Sequence, residues 1–307
     1  MITNTLDAVM LLGFGGPTHP SQIQSFLSDV LRGKEVPEQR RLQVLHQYEL
    51  IGGVSPYNPL ITLQAQKLHE LLKARGIPKK VLVALAHSEP SVYTTLKLAC
   101  QQQLQKLFVI IMAPFQSPAS FEKYQLKIEE ALNQLKKENY VLPQIILSPP
   151  WYRRPGFIHT WKQNIEIQLQ ASPARSSMLV FTTHSIPLAM AEQCPYVSQY
   201  RETAQMIAQF FPEIPFELTY QSRSGKPSDP WLTPDIGDFF KTQNPQTHVW
   251  VAPIGFLIDH VEVLYDLDIL VQKRAQELDL EFHRIQTPGI HPSFIATLAS
   301  LVEEILF

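Results

Sequence analysis

The feature that most constrains this chain is an alternation: short β-branched and aliphatic runs recur between longer segments whose apolar residues fall at helical spacing. Such a pattern argues for parallel strands joined by crossover helices, an α/β class. Strands are expected at 8–13, 81–86, 107–113, 144–147, 178–183, 216–220, 247–252 and 280–284. Four fall in each half, and 307 residues suffice for two domains of ordinary size. The expected architecture is therefore two Rossmann-like domains, each with a parallel sheet of about four strands flanked by helices. Three prolines in SPPWYRRP (148–155) suit a crossing segment and place the boundary there, giving domains over 1–150 and 151–289. In the final stretch, 290–307, Phe294, Ile295, Leu298, Leu301, Val302 and Ile305 repeat every three to four residues. That helix is expected to pack back on the first domain.

Several function classes lose support at once. A net charge of -2 offers no basic face for nucleic acid. No apolar run reaches the roughly 18 residues that span a bilayer, and the N-terminus MITNTLD lacks the basic and apolar segments of a secretory signal. A cytoplasmic protein is expected. Cys100 and Cys194 form no CxxC pair and cannot ligate an iron-sulfur cluster within one chain; as free thiols they read as small packed hydrophobes.

Open parallel sheets bind ligands beyond the carboxyl ends of their strands, so chemistry is expected at those ends. GFGGP (13–17) approaches a dinucleotide loop, but Thr18 stands where the third glycine belongs and Pro17 intrudes, so a tight turn is the better reading. Neither GVSPY (53–57) nor RSGKP (223–227) meets the nucleophile-elbow or phosphate-loop pattern. His184 directly follows the apolar strand MLVFT, at a strand end, with an ordinary pKa suited to proton transfer at neutral pH. GFLIDHVEVLYDLDI (255–269) places Asp259, His260, Glu262, Asp266 and Asp268 at the apparent start of a helix. Glu262 and Asp266 stand four apart, so an α-helix would carry both on one face, where they could hold a divalent cation or pass protons. The apolar neighbours FLI and VLY make an unneeded carboxylate there costly.

Taken together, LLGFGGP (11–17), YELIGGVSP (48–56), HSIP (184–187), QSRSGKPSDPWLTPD (221–235) and GFLIDHVEVLYDLDI resemble the ferrochelatase family nearly from end to end. The resemblance implies a lyase of haem biosynthesis that inserts ferrous iron into a porphyrin and releases two protons. It places the family's catalytic histidine on His184 and its catalytic glutamate on Glu262, both also facing the metal, with His260 and Asp266 as relay. His184 would serve in metal contact or proton abstraction. Phe14, Arg32, Arg40, Tyr48 and Ser55 would contact the porphyrin, in a cleft between the domains. Arginine suits propionates through its bidentate fork.

The resemblance further implies porphyrin and Fe2+ as substrates, no permanently bound cofactor and no iron-sulfur cluster. It allows transient docking to a haem acceptor or at a membrane periphery. Phe14 stands where the coproporphyrin-using branch has a tyrosine able to meet iron, which points to protoporphyrin IX, with coproporphyrin III as the alternative and a tetrapyrrole carrier as a third reading. Gln193 and Cys194 replace the family's usual Gly-Asp before Pro195 and Tyr196, and Leu270 cannot supply an outer metal site. His87, at another strand end, is a candidate outer contact.

Overall fold

All eight apolar runs become strands in a computed structural model, which describes residues 6–31, 38–171, 177–224 and 229–306. β1 (Ala8–Gly13), β2 (Lys80–Leu85), β3 (Lys106–Ile111) and β4 (Gln144–Leu147) form a sheet in the order β2-β1-β3-β4. β5 (Ser177–His184), β6 (Phe216–Gln221), β7 (His248–Ala252) and β8 (Glu281–Arg284) form a second in the order β6-β5-β7-β8. Every pairing is parallel, so the two sheets share one topology without any repeat in the sequence. The chain is α/β. It divides into two units, Met1–Ala113 with Ala119–Pro149 and Phe294–Phe307, and Pro114–Pro118 with Pro150–Ser293.

In the first unit β1 is interior, and each face is covered by helices, as an apolar strand with no polar side requires. Ala8, Met10 and Leu12 meet Leu96 and Ala99 of the helix Val92–Gln101 and Tyr124, Ile128 and Leu135 of the helix Lys123–Lys137. Helix Tyr57–Ala74 comes so close that a Cβ on Gly13 would lie 2.6 Å from Ile61 Cδ1 and from Tyr57 Oη. Any side chain there would have to displace one of these two side-chain ends. Helix Pro292–Leu306 buries Phe294, Leu298, Leu301 and Val302 in this unit, each contributing about 1.5–3 kcal/mol, and its Glu303 pairs with Arg75 at 3.0 Å.

In the second unit Val180, Val249 and Val251 pack against Phe240, Val263, Leu267, Val271 and Ala275. β6 lies on one side of β5 and β7 on the other, so the chain leaves the sheet in opposite directions around the β5/β7 pair. A switch of this kind leaves a crevice beyond the carboxyl ends of the two strands. Residues 114–118 join this unit through paired amides, Gln116 N–H to Gln199 Oε1 at 2.8 Å and Gln199 Nε2 to Gln116 Oε1 at 2.7 Å. Among the described residues no helix is long and apolar enough to cross a membrane.

Candidate active site

His184 is the last residue of β5, at the switch between β5 and β7, where it pairs in register with Gln221. Its Nδ1–H donates to the Ser185 carbonyl at 2.5 Å, and a carbonyl can only accept, so Nε2 is the nitrogen left for chemistry. The Tyr196 hydroxyl donates to the His184 carbonyl at 2.9 Å and lies 2.7 Å from Thr183 Oγ1, fixing the strand end from below. The loop after β7 presses on the same point. A Cβ on Gly255 would fall 1.9 Å from Thr183 Oγ1, so glycine lets this loop reach β5.

That loop delivers Glu262. His260, in extended backbone, caps the short helix Val261–Leu264, its Nδ1 accepting the Glu262 N–H at 3.3 Å. Glu262 Oε1 then stands 3.1 Å from His184 Nε2, with about a third of each side chain exposed. Burial would lower the histidine's pKa, but the Glu262 carboxylate overrides it and, with Asp266 behind, pushes His184 up to about 9. Burial likewise would raise Glu262, and the His184 charge instead pushes it down to about 2. At neutral pH the two form an imidazolium–carboxylate pair. His260 is held below the usual histidine range by burial, against the pull of Glu262.

The α-helical ridge expected through Asp266 is not what forms. After Leu264 the backbone widens into a π-helical turn, Asp266–Val271, in which Leu270 N–H reaches the Tyr265 carbonyl at 3.0 Å. Asp266 accepts a short hydrogen bond from the Ser222 hydroxyl, and Ser222 holds a left-handed backbone, φ +60°, to offer it. Gln221 Nε2 donates to the Glu262 carbonyl at 2.5 Å, while its buried Oε1 has no hydrogen-bond partner among the described residues. Asp259 and Asp268 turn instead to Arg284, so the five groups of 259–268 do not make one acidic site. Among the described residues no three of His, Cys, Asp and Glu are arranged to hold a metal. Sequence reasoning assigns no role to Gln221, Ser222, Tyr196 or Arg284. Gln221 stands opposite His184 at the end of β6, and Ser222 follows it directly.

In the first unit Phe14 lies beyond β1, its N–H bonded to Tyr57 Oη at 2.9 Å and its ring 4.7 Å from the His87 ring and 6.1 Å from Phe26. Tyr48 is buried with its ring edge-on to Phe26 at 6.3 Å. Ser55 is buried too, donating its N–H to the Pro17 carbonyl, while Tyr48 backs Phe26, the ring beside Phe14. His87 bonds to Asp29 through Nδ1, and burial together with Lys123 pushes it down to about 4, so this imidazole is neutral. Arg32 and the Arg40 side chain lie outside the described residues.

The ferrochelatase family model matches residues 6–306. The chain is similar to a protein named ferrochelatase from Rhodopirellula baltica, 32% identical over 304 residues, spanning 97% of this chain and 86% of that one. It is similar to a coproporphyrin III ferrochelatase from Streptomyces coelicolor, 33% identical over 318 residues, spanning 97% and 85%. A coproporphyrin III ferrochelatase from Propionibacterium freudenreichii is 33% identical over 311 residues, spanning 97% and 87%. Among solved structures, SirB from Bacillus subtilis with Fe3+ shares the fold at a TM-score of 0.60 and 11% identity, covering 98% of this chain and 96% of that one.

Proposed function

The chain belongs to the ferrochelatase family, lyases that place a metal ion in a porphyrin, and we propose that it inserts ferrous iron into coproporphyrin III at the His184–Glu262 pair. The observation that carries this reading is the 3.1 Å contact between His184 Nε2 and Glu262 Oε1 beyond the β5 and β7 strand ends.

Metallation replaces two pyrrole N–H protons with one dication, so a site must take protons from the ring centre while admitting positive charge. With Nδ1 committed to Ser185, His184 works through Nε2 alone. In the resting pair that nitrogen carries a proton shared with Glu262. An approaching dication opposes the imidazolium and draws on the carboxylate, which lowers the histidine pKa and releases the Nε2 proton. The bared nitrogen then serves as base or as iron contact. Glu262 stays ionised across the physiological range and offers the proton an outward path, with Asp266 next along it, held by Ser222. Gln221 and His260 fix the Glu262 backbone, so the carboxylate needs little reorganisation when charge arrives.

The choice of porphyrin rests on the named relatives from Streptomyces and Propionibacterium, and it replaces protoporphyrin IX as the expected substrate. Coproporphyrin III has four propionates, where protoporphyrin IX has two propionates and two vinyl groups. Protoporphyrin IX keeps one observation in its favour, since Phe14 cannot ligate iron as a tyrosine could. Anaerobic assays with Fe2+ and each porphyrin decide between them. A site that pairs all four carboxylates should favour coproporphyrin III by about tenfold or more in kcat/KM. The reverse ratio assigns protoporphyrin IX, and a porphyrin spectrum that shifts without metalloporphyrin formation would identify a carrier instead.

A further inference from the structure

Two acids of the 259–268 segment take no part in the pair described above, and both end on one cation. Arg284 Nε stands 2.5 Å from Asp268 Oδ1, while Nη1 and Nη2 lie 3.4 and 3.3 Å from the two oxygens of Asp259, a parallel fork. Thr287 Oγ1 donates to Asp259 at 2.9 Å. Arg284 itself is the last residue of β8, paired in register with Val251 of β7, so its backbone belongs to the sheet. Asp259 immediately precedes the capping residue His260, and Asp268 lies inside the π-helical turn. Between these two feet the chain carries His260, Glu262 and Asp266.

We propose that Arg284 is a positioning residue: by holding both feet of the 259–268 arch to the sheet edge, it sets the height and rotation at which Glu262 meets His184 and Asp266 meets Ser222. The inference rests on the reading of His184 and Glu262 as the working pair. A π turn inserts one extra residue and rotates the residues downstream of it, so a bond at Asp268 retains a geometry that an unrestrained helix would relax. Without the guanidinium, Asp259 and Asp268 face each other in partly buried surroundings, and like charges push the feet apart.

Arg284→Gln, Arg284→Lys and the double variant Arg284→Gln with Asp268→Asn test this, assayed anaerobically with Fe2+ and coproporphyrin III. Porphyrin affinity would be followed by fluorescence, and hydrogen exchange by mass spectrometry. Supporting shells of this kind contribute about 10- to 100-fold, so Arg284→Gln should lose that factor in kcat, with the porphyrin KM within about twofold. Asp268→Asn should restore part of the loss by removing the repulsion. Arg284→Lys, which keeps the charge and loses the fork, should fall between, and it decides the matter where the glutamine variant does not fold. Peptides covering 259–271 should exchange faster in Arg284→Lys, the rest of the chain unchanged. Wild-type kcat and wild-type exchange in the lysine variant would overturn the proposal, as would a loss confined to KM. A wild-type protein that forms no metalloporphyrin would instead refute the parent reading, and the exchange experiment still tests the arch.

Discussion

Replacing Glu262 with glutamine should collapse the His184 titration. The shape of the site is kept, but the charge that overrides burial is removed. In the wild-type protein His184 is pushed from 6.5 up to about 9. That interval corresponds to a ceiling of about 3.5 kcal/mol at about 1.4 kcal/mol per pH unit. A third of each side chain meets water, and screening brings the interaction to about 1–2 kcal/mol. The sign is set by the two titrations. His184, raised on folding, contributes fully below pH 6.5 and loses its contribution as pH rises through about 9. Glu262, depressed on folding, contributes fully above pH 4.5 and loses it as pH falls through about 2. The pair therefore stabilises most between about pH 4.5 and 6.5, and the deficit of Glu262→Gln should be largest there and shrink toward pH 9. Imidazole 15N NMR, with His184 assigned by substitution, should give a midpoint near 9 in the wild type and a clearly lower one in Glu262→Gln, where only the Ser185 carbonyl and Asp266 still oppose burial. Equal midpoints in the two proteins would refute the reasoning, whatever the variant's activity.

Gly255→Ala should cost about 1–3 kcal/mol in denaturant unfolding, because the new Cβ meets Thr183 Cβ and Cα at 2.7 and 3.1 Å as well as its hydroxyl. Wild-type stability would contradict the close approach. Ser222→Ala removes the bond to Asp266 and keeps a left-handed Cβ, for a loss of about 1.5–3 kcal/mol; Ser222→Gly loses the same bond but should be less destabilised, by up to about 1 kcal/mol. An alanine variant at least as stable as the glycine variant would show that Ser222 carries no backbone strain. Glu303→Ala breaks a partly exposed ion pair with Arg75 and should change stability by less than about 1 kcal/mol. A larger loss would mean that Arg75 fixes the last helix more firmly than its exposure indicates.

The strands were legible because a strand buried on both faces needs an unbroken apolar run, and AVMLLG or KLFVII has little other use. His184 and Glu262 drew attention in the sequence for a related reason. A polar group directly after such a run, or inside FLIDHVEVLY, is expensive unless it works. Which acid does which task was not legible. Asp259, Glu262, Asp266 and Asp268 look alike along the chain, and what separates them comes from other elements. Arg284 at the end of β8 takes two of them, Ser222 takes one, and His184 takes the last. The helical spacing of Glu262 and Asp266 gave no sign of the π turn, since periodicity cannot distinguish one α-turn from an α-turn that widens at Asp266. Tyr48 and Ser55, expected to meet substrate, are buried, and an aromatic or hydroxyl side chain suits a core as well as a rim.

The claim that the His184–Glu262 contact drives metal insertion is tested most directly by metalloporphyrin formation in His184→Ala under saturating coproporphyrin III and Fe2+, with porphyrin binding measured on the same sample. The account predicts binding within about twofold of wild type and a loss of about 100-fold or more in turnover, the scale of a removed acid–base group. Turnover close to wild type with binding intact would show that the imidazole at the end of β5 is not where the reaction happens.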